Sequence, residues 1–272
     1  MGYWGAQKPD PGLRCPLDRT HPLARGLWGA WIFNRPAGEN WEDAVTSRII
    51  ALEGPAHVRR GLFLPAGQER YGSISGIPPD PSQGFTIAAR ASNDGTGVRK
   101  HHLVSRWPAW GIVQDTSAEL PGLYGQMKFG GSEFKATFLP ASNVSPGRVM
   151  SLALVYDPAA QEIRTYFDGD YKESDYPVGP VASEGDMWLG TNGQEPDAPL
   201  YRWAGEIDYV YIYERALSEY EVQWLYEKPY DIFQAPEPVR FRLLWMNATQ
   251  ATTTMNVGDN QVFVRFYNEE VL

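Results

Sequence analysis

An all-β sandwich with one short helix near its C-terminal end is what this sequence predicts, and three observations carry that reading. Glycine and proline, 27 and 22 of 272 residues, punctuate the chain throughout, as turns between many short elements require. The apolar runs between them are only four to eight residues long, the length of strands rather than of core helices. Aromatic residues make up 13% of the chain, with ten Trp and 15 Tyr, and such side chains fill the space between two sheets without cross-links.

Each element follows from its own residues. Residues 1–25 carry Pro9, Pro11, Pro16 and Pro22 with few periodic apolar positions, which reads as an extended arm reaching roughly 80 Å if fully stretched. Strands are expected at 27–33, 48–52, 57–64, 84–91, 101–105, 110–115, 122–129, 134–139, 149–156, 161–167, 187–190 and 205–213. Asp168-Gly169 supplies a type I′ turn between Ile163–Phe167 and a strand that begins at Asp170. The strand at 205–213 runs straight into a capped helix. Ser218 is its N-cap, Glu221 completes a capping box, and Leu217 and Val222 form a hydrophobic staple.

Beyond the helix, Pro229, Pro236 and Pro238 break the regular pattern, and two further strands are expected at 239–246 and 261–267, separated by the polar run Asn247 to Asn260. Val262, Val264 and Phe266 alternate with Phe263, Arg265 and Tyr267, so both faces of the last strand carry apolar groups and one must find cover. Packing back on the same chain and adding a strand to a neighbouring subunit are both open. The expected organisation is an arm at 1–25, a sandwich at 26–230 and an extension at 231–272.

Composition narrows the function classes. A formal charge of −9 and a pI near 5.0 argue against a nucleic-acid surface, which needs clustered Lys and Arg. No segment approaches 18 consecutive apolar residues, and the N-terminus lacks the basic start and apolar run of a signal peptide. No membrane partner and synthesis in a cytoplasm are therefore expected. Cys15 is alone, which excludes an internal disulfide; the four His show no zinc pattern, and Gly95-Thr96-Gly97 lacks the context of a phosphate loop.

Several motifs carry a resemblance. Gly205, Ile207, Asp208, Val210, Ile212, Tyr213, Arg215, Ala216, Leu217 and Ser218 match the closing signature of laminin-G-like, concanavalin A-like jelly rolls. Upstream, Leu154-Val155-Tyr156-Asp157, Tyr166-Phe167-Asp168-Gly169 and Trp188-Leu189-Gly190-Thr191-Asn192 follow in the same order. The opening, His21 to Leu27 and Gly29 to Asn34, resembles such domains in tailed-phage structural proteins. The resemblance spans about residues 21–230 and implies a non-enzymatic virion protein. Its sandwich would be displayed on a capsid or tail, in decoration or adhesion, and fastened to other virion proteins and to itself. The fastening would run through the Pro-rich arm (Pro9, Pro11, Leu23) and the tail (Val239, Val262, Val264, Phe266). The alternative is a lectin-like module for surface glycans.

The same resemblance raises three kinds of site. Glucanases on this fold carry three spaced carboxylates on a core strand; Glu206 and Asp208 stand in place, but Val210 or Tyr211 occupies the third position, leaving a poor catalytic pair. No cofactor is required, although related domains bind calcium. Asp43 and Asp208 are the candidate ligands, and the sequence after Asp43 lacks the glycines of the family's loop. For sugar binding, the candidates are Trp107, Trp110 and Tyr124, with Asn192, Gln194 and Tyr201 in a polar loop.

Overall fold

The computed structural model describes residues 8–9, 15–34, 40–46, 48–52, 57–58, 61–65, 71–76, 79–94, 100–116, 122–140, 143–193, 201–234, 252–257 and 260–265. At 40, 57–58, 252–257 and 260–265 the backbone alone is described. The chain divides into two units, Met1–Pro236 and Glu237–Leu272.

The first unit begins with short strands, β1 (Leu27–Ile32), β2 (Asn40–Glu42), β3 (Ile49–Leu52), β4 (His57–Val58), β5 (Leu62–Leu64) and β6 (Gly72–Ile74). Longer ones follow: β7 (Phe85–Ser92), β8 (Lys100–Arg106), β9 (Trp110–Asp115), β10 (Gly122–Phe129), β11 (Ser132–Pro140) and β12 (Val149–Asp157). The unit closes with β13 (Glu162–Phe167), β14 (Asp170–Asp175), β15 (Met187–Leu189), β16 (Gly205–Tyr213) and the helix α1 (Glu219–Glu227). These strands make two eight-stranded sheets. The first runs β14-β13-β12-β7-β16-β5-β4 with β1 also on β16, and the second runs β11-β10-β9-β8-β15-β6-β3-β2. The architecture is the expected all-β sandwich with one helix.

Alternation within strands decides what faces what. In β16, Ile207, Val210 and Ile212 enter the core between the sheets, while Tyr209, Tyr211 and Tyr213 enter a second core on the outer side of the first sheet. β12 divides the same way: Leu152 and Leu154 point inward, and Ala153 and Val155 outward. A strand apolar on both faces needs cover on both. Here α1 supplies it through Val222 and Leu225, joined by Leu23, Tyr230, Ile232 and Phe233.

That second core corrects part of the expectation that the N-terminal arm, Leu23 included, fastens the chain to partners. The backbone N–H of Asp18 donates to the Ile232 carbonyl at 2.8 Å, that of Gln234 to the Pro16 carbonyl at 2.9 Å, and Leu17 bridges Phe233. Leu23 is fully buried in its own chain's second core. The tyrosine-bearing face of β16 is apolar surface that must be covered, and Cys15, Leu17 and Leu23 help to cover it.

Other expectations fare variously. The β13–β14 turn is the expected type I′, with φ of 50° at Asp168 and 84° at Gly169, both in the left-handed region that turn demands. The helix has the complete capping box, with Ser218 accepting from the Glu221 N–H and Glu221 accepting from the Ser218 N–H. The single strand expected at 57–64 is instead a hairpin, with His57 opposite Phe63 and Val58 opposite Leu62. Gly61 lets the second strand of that hairpin approach β16, since a Cβ there would lie 2.4 Å from the Ile207 carbonyl oxygen. β2 and β6, three residues each, are too short to register as periodic signals.

The second unit contains an antiparallel pair, β17 (Thr252–Val257) and β18 (Asn260–Arg265). β17 lies inside the run read above as a polar connection. Its three consecutive threonines explain the difference, since β-branched side chains favour extended backbone even where polarity suggests a loop. Val262 and Val264 belong to β18; Val239, Phe266 and the strand expected at 239–246 lie outside the described residues.

Candidate functional site

The features that converge lie on the outer face of the second sheet, around β8. Neighbouring positions on a strand face opposite sides. His101 lies against the Arg202 carbonyl through Nδ1, while His102 lies between two aromatic rings, Trp107 at 5.6 Å and Tyr201 at 6.2 Å, both edge-on. Trp107 begins the tight connection from β8 to β9 and precedes a cis proline, Pro108. Residues 191 and 202 come over the same face: Ser105 Oγ donates to the Thr191 carbonyl at 2.8 Å, and Arg202 bridges His102 in parallel. The structure thus brings together two of the aromatics expected to meet sugar, Trp107 and Tyr201, both half-buried.

The residue at their centre, His102, is one that sequence reasoning set aside for want of a metal or catalytic partner. It is 1% exposed, and neither ring nitrogen has a hydrogen-bond partner. Burial, reinforced by the charges of Lys100 and His101, pushes its pKa down to about 3, so the ring is neutral at physiological pH. On the same face, Gln126 is 1% exposed with neither end of its amide hydrogen-bonded, and Thr191 Oγ1 and Trp107 Nε1 are likewise buried and unpartnered. Buried polar atoms are nearly always satisfied. Several unsatisfied ones lie here beside half-buried aromatic rings, within the fold rather than on its surface. The signal available in sequence was the outward position of His102 and Gln126 on strands whose other face is core.

The remaining sugar candidates need correction. Trp110 is not a loop residue: it opens β9, is fully buried and packs on Phe85 at 4.6 Å, because its position alternates with Ile112 onto the inner face. Tyr124 faces outward but is 1% exposed, with its hydroxyl donating to Asp115 at 3.4 Å and the Lys135 ammonium 4.8 Å above its ring. Burial, with Asp115 adding to it, raises its pKa well above the ordinary value. Asn192 is 4% exposed, so its amide is not a surface group. Gln194 lies outside the described residues.

Asp43 and Asp208, the candidate calcium ligands, are both committed to protein groups. Asp43 is buried at the turn after β2; Oδ1 accepts from the backbone N–H of Val45 and Thr46, and Oδ2 from Thr46 Oγ1 and the Arg48 N–H. Asp208 sits where a register shift in β16 separates Ile207 from Tyr209. Its carboxylate receives the Lys8 ammonium and the Tyr230 hydroxyl at 2.8 Å, with the Arg90 guanidinium at 3.7 Å. Burial pushes the Lys8 pKa below its ordinary value despite the opposing pull of Asp208. Among the described residues, no group of three or more His, Cys, Asp or Glu could hold a metal ion. The Lys8 contact also fastens the N-terminal segment to the sandwich beside Pro9, which is buried; Pro11 is outside the described residues.

Residues 66–223, more than half of the chain, match the concanavalin A-like lectin/glucanases superfamily. Among solved structures, the fold resembles Trypanosoma rangeli sialidase, at 14% identity and a TM-score of 0.55, covering 79% of this chain and 35% of that one. It also resembles the binding domain of botulinum neurotoxin DC in complex with SialylT, at 9% identity and a TM-score of 0.57, covering 75% of this chain and 52% of that one. The botulinum neurotoxin serotype D binding domain gives 8% identity and a TM-score of 0.58, with 74% and 51% covered. The chain therefore spans between about a third and a half of these structures, and at such identities the likeness concerns the fold. No curated protein sequence matches it.

Proposed function

Since this chain belongs to the concanavalin A-like lectin/glucanases superfamily, we propose that it is a lectin-like, non-catalytic module that binds a surface glycan on the outer face of its second sheet. The observation carrying the proposal is the cluster of Trp107, His102 and Tyr201, where half-buried aromatic rings adjoin buried, unsatisfied polar atoms. An indole or phenol face can stack on a pyranose ring. Neutral His102, itself 1% exposed, places no charge beside those rings. The non-catalytic part rests on Asp208, whose carboxylate is held by Lys8 and Tyr230 and is poorly placed to serve as an acid or nucleophile.

A glycan array followed by calorimetric titration of the best ligand tests this reading. Trp107→Ala and Tyr201→Ala should each weaken binding about tenfold or more, the scale of one lost stacking contact and its hydrogen bonds, with no change on adding calcium or a chelator. Absence of saturable binding to any glycan, or binding indifferent to both substitutions, refutes the site.

The wider setting we propose is the exterior of a tailed-phage virion, with glycan binding serving adhesion and the C-terminal unit serving attachment. The observation that favours it is the separate unit Glu237–Leu272 with its β17–β18 pair, a form suited to pairing with a neighbouring subunit. Particles assembled with protein lacking 237–272 should lack the protein on a stained gel; undiminished incorporation rejects attachment through that unit.

A further inference from the structure

On the outer side of the first sheet, the β13–β14 turn and the first turns of α1 border an open hollow of about 780 Å³. Its lining is Gly169, Asp170, Tyr171, Glu219, Tyr220 and Gln223. Two features set it apart from an ordinary solvated helix face. Tyr171 and Tyr220 are 46% and 72% exposed, and Tyr226, at 41%, stands close by, since a Cβ on Gly169 would lie 2.8 Å from its ring. Three large aromatic side chains are thus left in water at one corner, whereas most other aromatic side chains among the described residues are buried. Both charged side chains among the lining residues are acidic, Asp170 and Glu219.

The local polar groups sharpen the chemistry. The Asp170 side chain is 75% exposed, with the Lys172 ammonium 3.4 Å from Oδ2; Gln223 donates to Glu227 Oε1 at 2.9 Å; the Tyr171 hydroxyl donates to Ser174 Oγ at 2.9 Å. Glu219 has a favourable position in the first turn of α1, beside the positive end of the helix dipole. None of these contacts covers the tyrosine rings. Aromatic faces attract cations through the ring quadrupole, and arginine is the residue that most often uses them. Tyrosine is also enriched among the residues that dominate binding at protein interfaces.

We propose that this hollow is a docking site for a basic segment of a partner protein. An arginine side chain would enter between Tyr171 and Tyr220, and Asp170 and Glu219 would provide the countercharge. The occupant follows from complementarity: a guanidinium meets both the rings and the carboxylates, whereas an acidic segment would meet like charge and a purely apolar one would desolvate Glu219 with no countercharge of its own. The net charge of −9 draws such a segment from a distance.

The test titrates the whole chain into a fluorescein-labelled, amidated Gly-Arg-Gly-Arg-Gly peptide, read by fluorescence anisotropy in 0.15 M salt. Saturable binding is expected, weakened about tenfold in the Tyr171→Ala/Tyr220→Ala double variant and lost when citrulline replaces arginine. The double variant keeps the net charge, so it separates the hollow from general attraction to an acidic protein. Glu219→Gln provides a milder second variant and should weaken binding several-fold. No saturable binding, or equal affinity in the double variant, overturns the proposal, as does self-association of the protein that the double variant abolishes.

Discussion

His102 shows what one buried titratable side chain implies for the whole protein. Its ring is neutral in the fold because burial, first, and the charges of Lys100 and His101, second, push its pKa from 6.5 down to about 3. The unfolded chain gains a proton below pH 6.5 that the folded chain refuses until about pH 3. The contribution of His102 to stability is therefore greatest above pH 6.5 and falls as the pH drops through that window. His102→Asn should flatten this dependence, so that thermal midpoints of the two proteins converge as pH falls from 7 to 4; parallel curves would mean that His102 is not neutral in the fold. Asp43 carries the opposite lesson. A carboxylate that looks like a metal ligand in sequence is fully engaged by its own turn, and nothing short of side-chain positions could distinguish the two roles.

Among the elements, α1 is fixed almost entirely by its own residues. Burial pushes the Glu221 carboxyl up, but Arg215, which reaches it at 2.7 and 2.9 Å, and the Ser218 N–H together hold it below 4.5. The cap's contribution is complete above about pH 4.5 and is lost as pH falls through the lower folded value. Ser218→Ala should cost about 1 kcal/mol at pH 7, seen as a thermal midpoint lowered by about 2–4 °C, and the difference should shrink below pH 4. A penalty independent of pH would detach Glu221 from the cap. The strands are different: β10 owes its place to the sheet opposite, since a Cβ on Gly125 would come within 2.5 Å of Leu154 Cδ1. That glycine is a close approach between sheets rather than a turn, and strand periodicity alone gives no hint of it.

The whole molecule is organised by covering both faces of its first sheet. Because Leu23, Tyr230, Ile232 and Phe233 share the second core with α1, removal of residues 1–25 should lower stability by about 2–5 kcal/mol, the scale of emptying one large buried site. Removal of 237–272 should leave the sandwich's thermal midpoint within about 2 °C, because the unit Met1–Pro236 holds its own two cores. Chemical denaturation of the two truncated proteins measures both. A stable protein without residues 1–25 would return that segment to the role of a free arm.

By itself, the sequence determined the all-β class, most strand positions, the type I′ turn and the capped helix, because each rests on local signals: alternation, left-handed turn residues and capping side chains. It also named the residues on which the family resemblance rests. Only the tertiary structure decided that Trp110 is core while Trp107 stands at the surface beside Tyr201, and that His102 and Gln126 lie buried with unspent hydrogen bonds. It alone brought Cys15, Leu17 and Leu23 to the core that holds the tyrosines of β16. The physical reason is that local patterns specify backbone and the side of a strand, whereas exposure and hydrogen-bond satisfaction depend on which distant segment arrives to cover it.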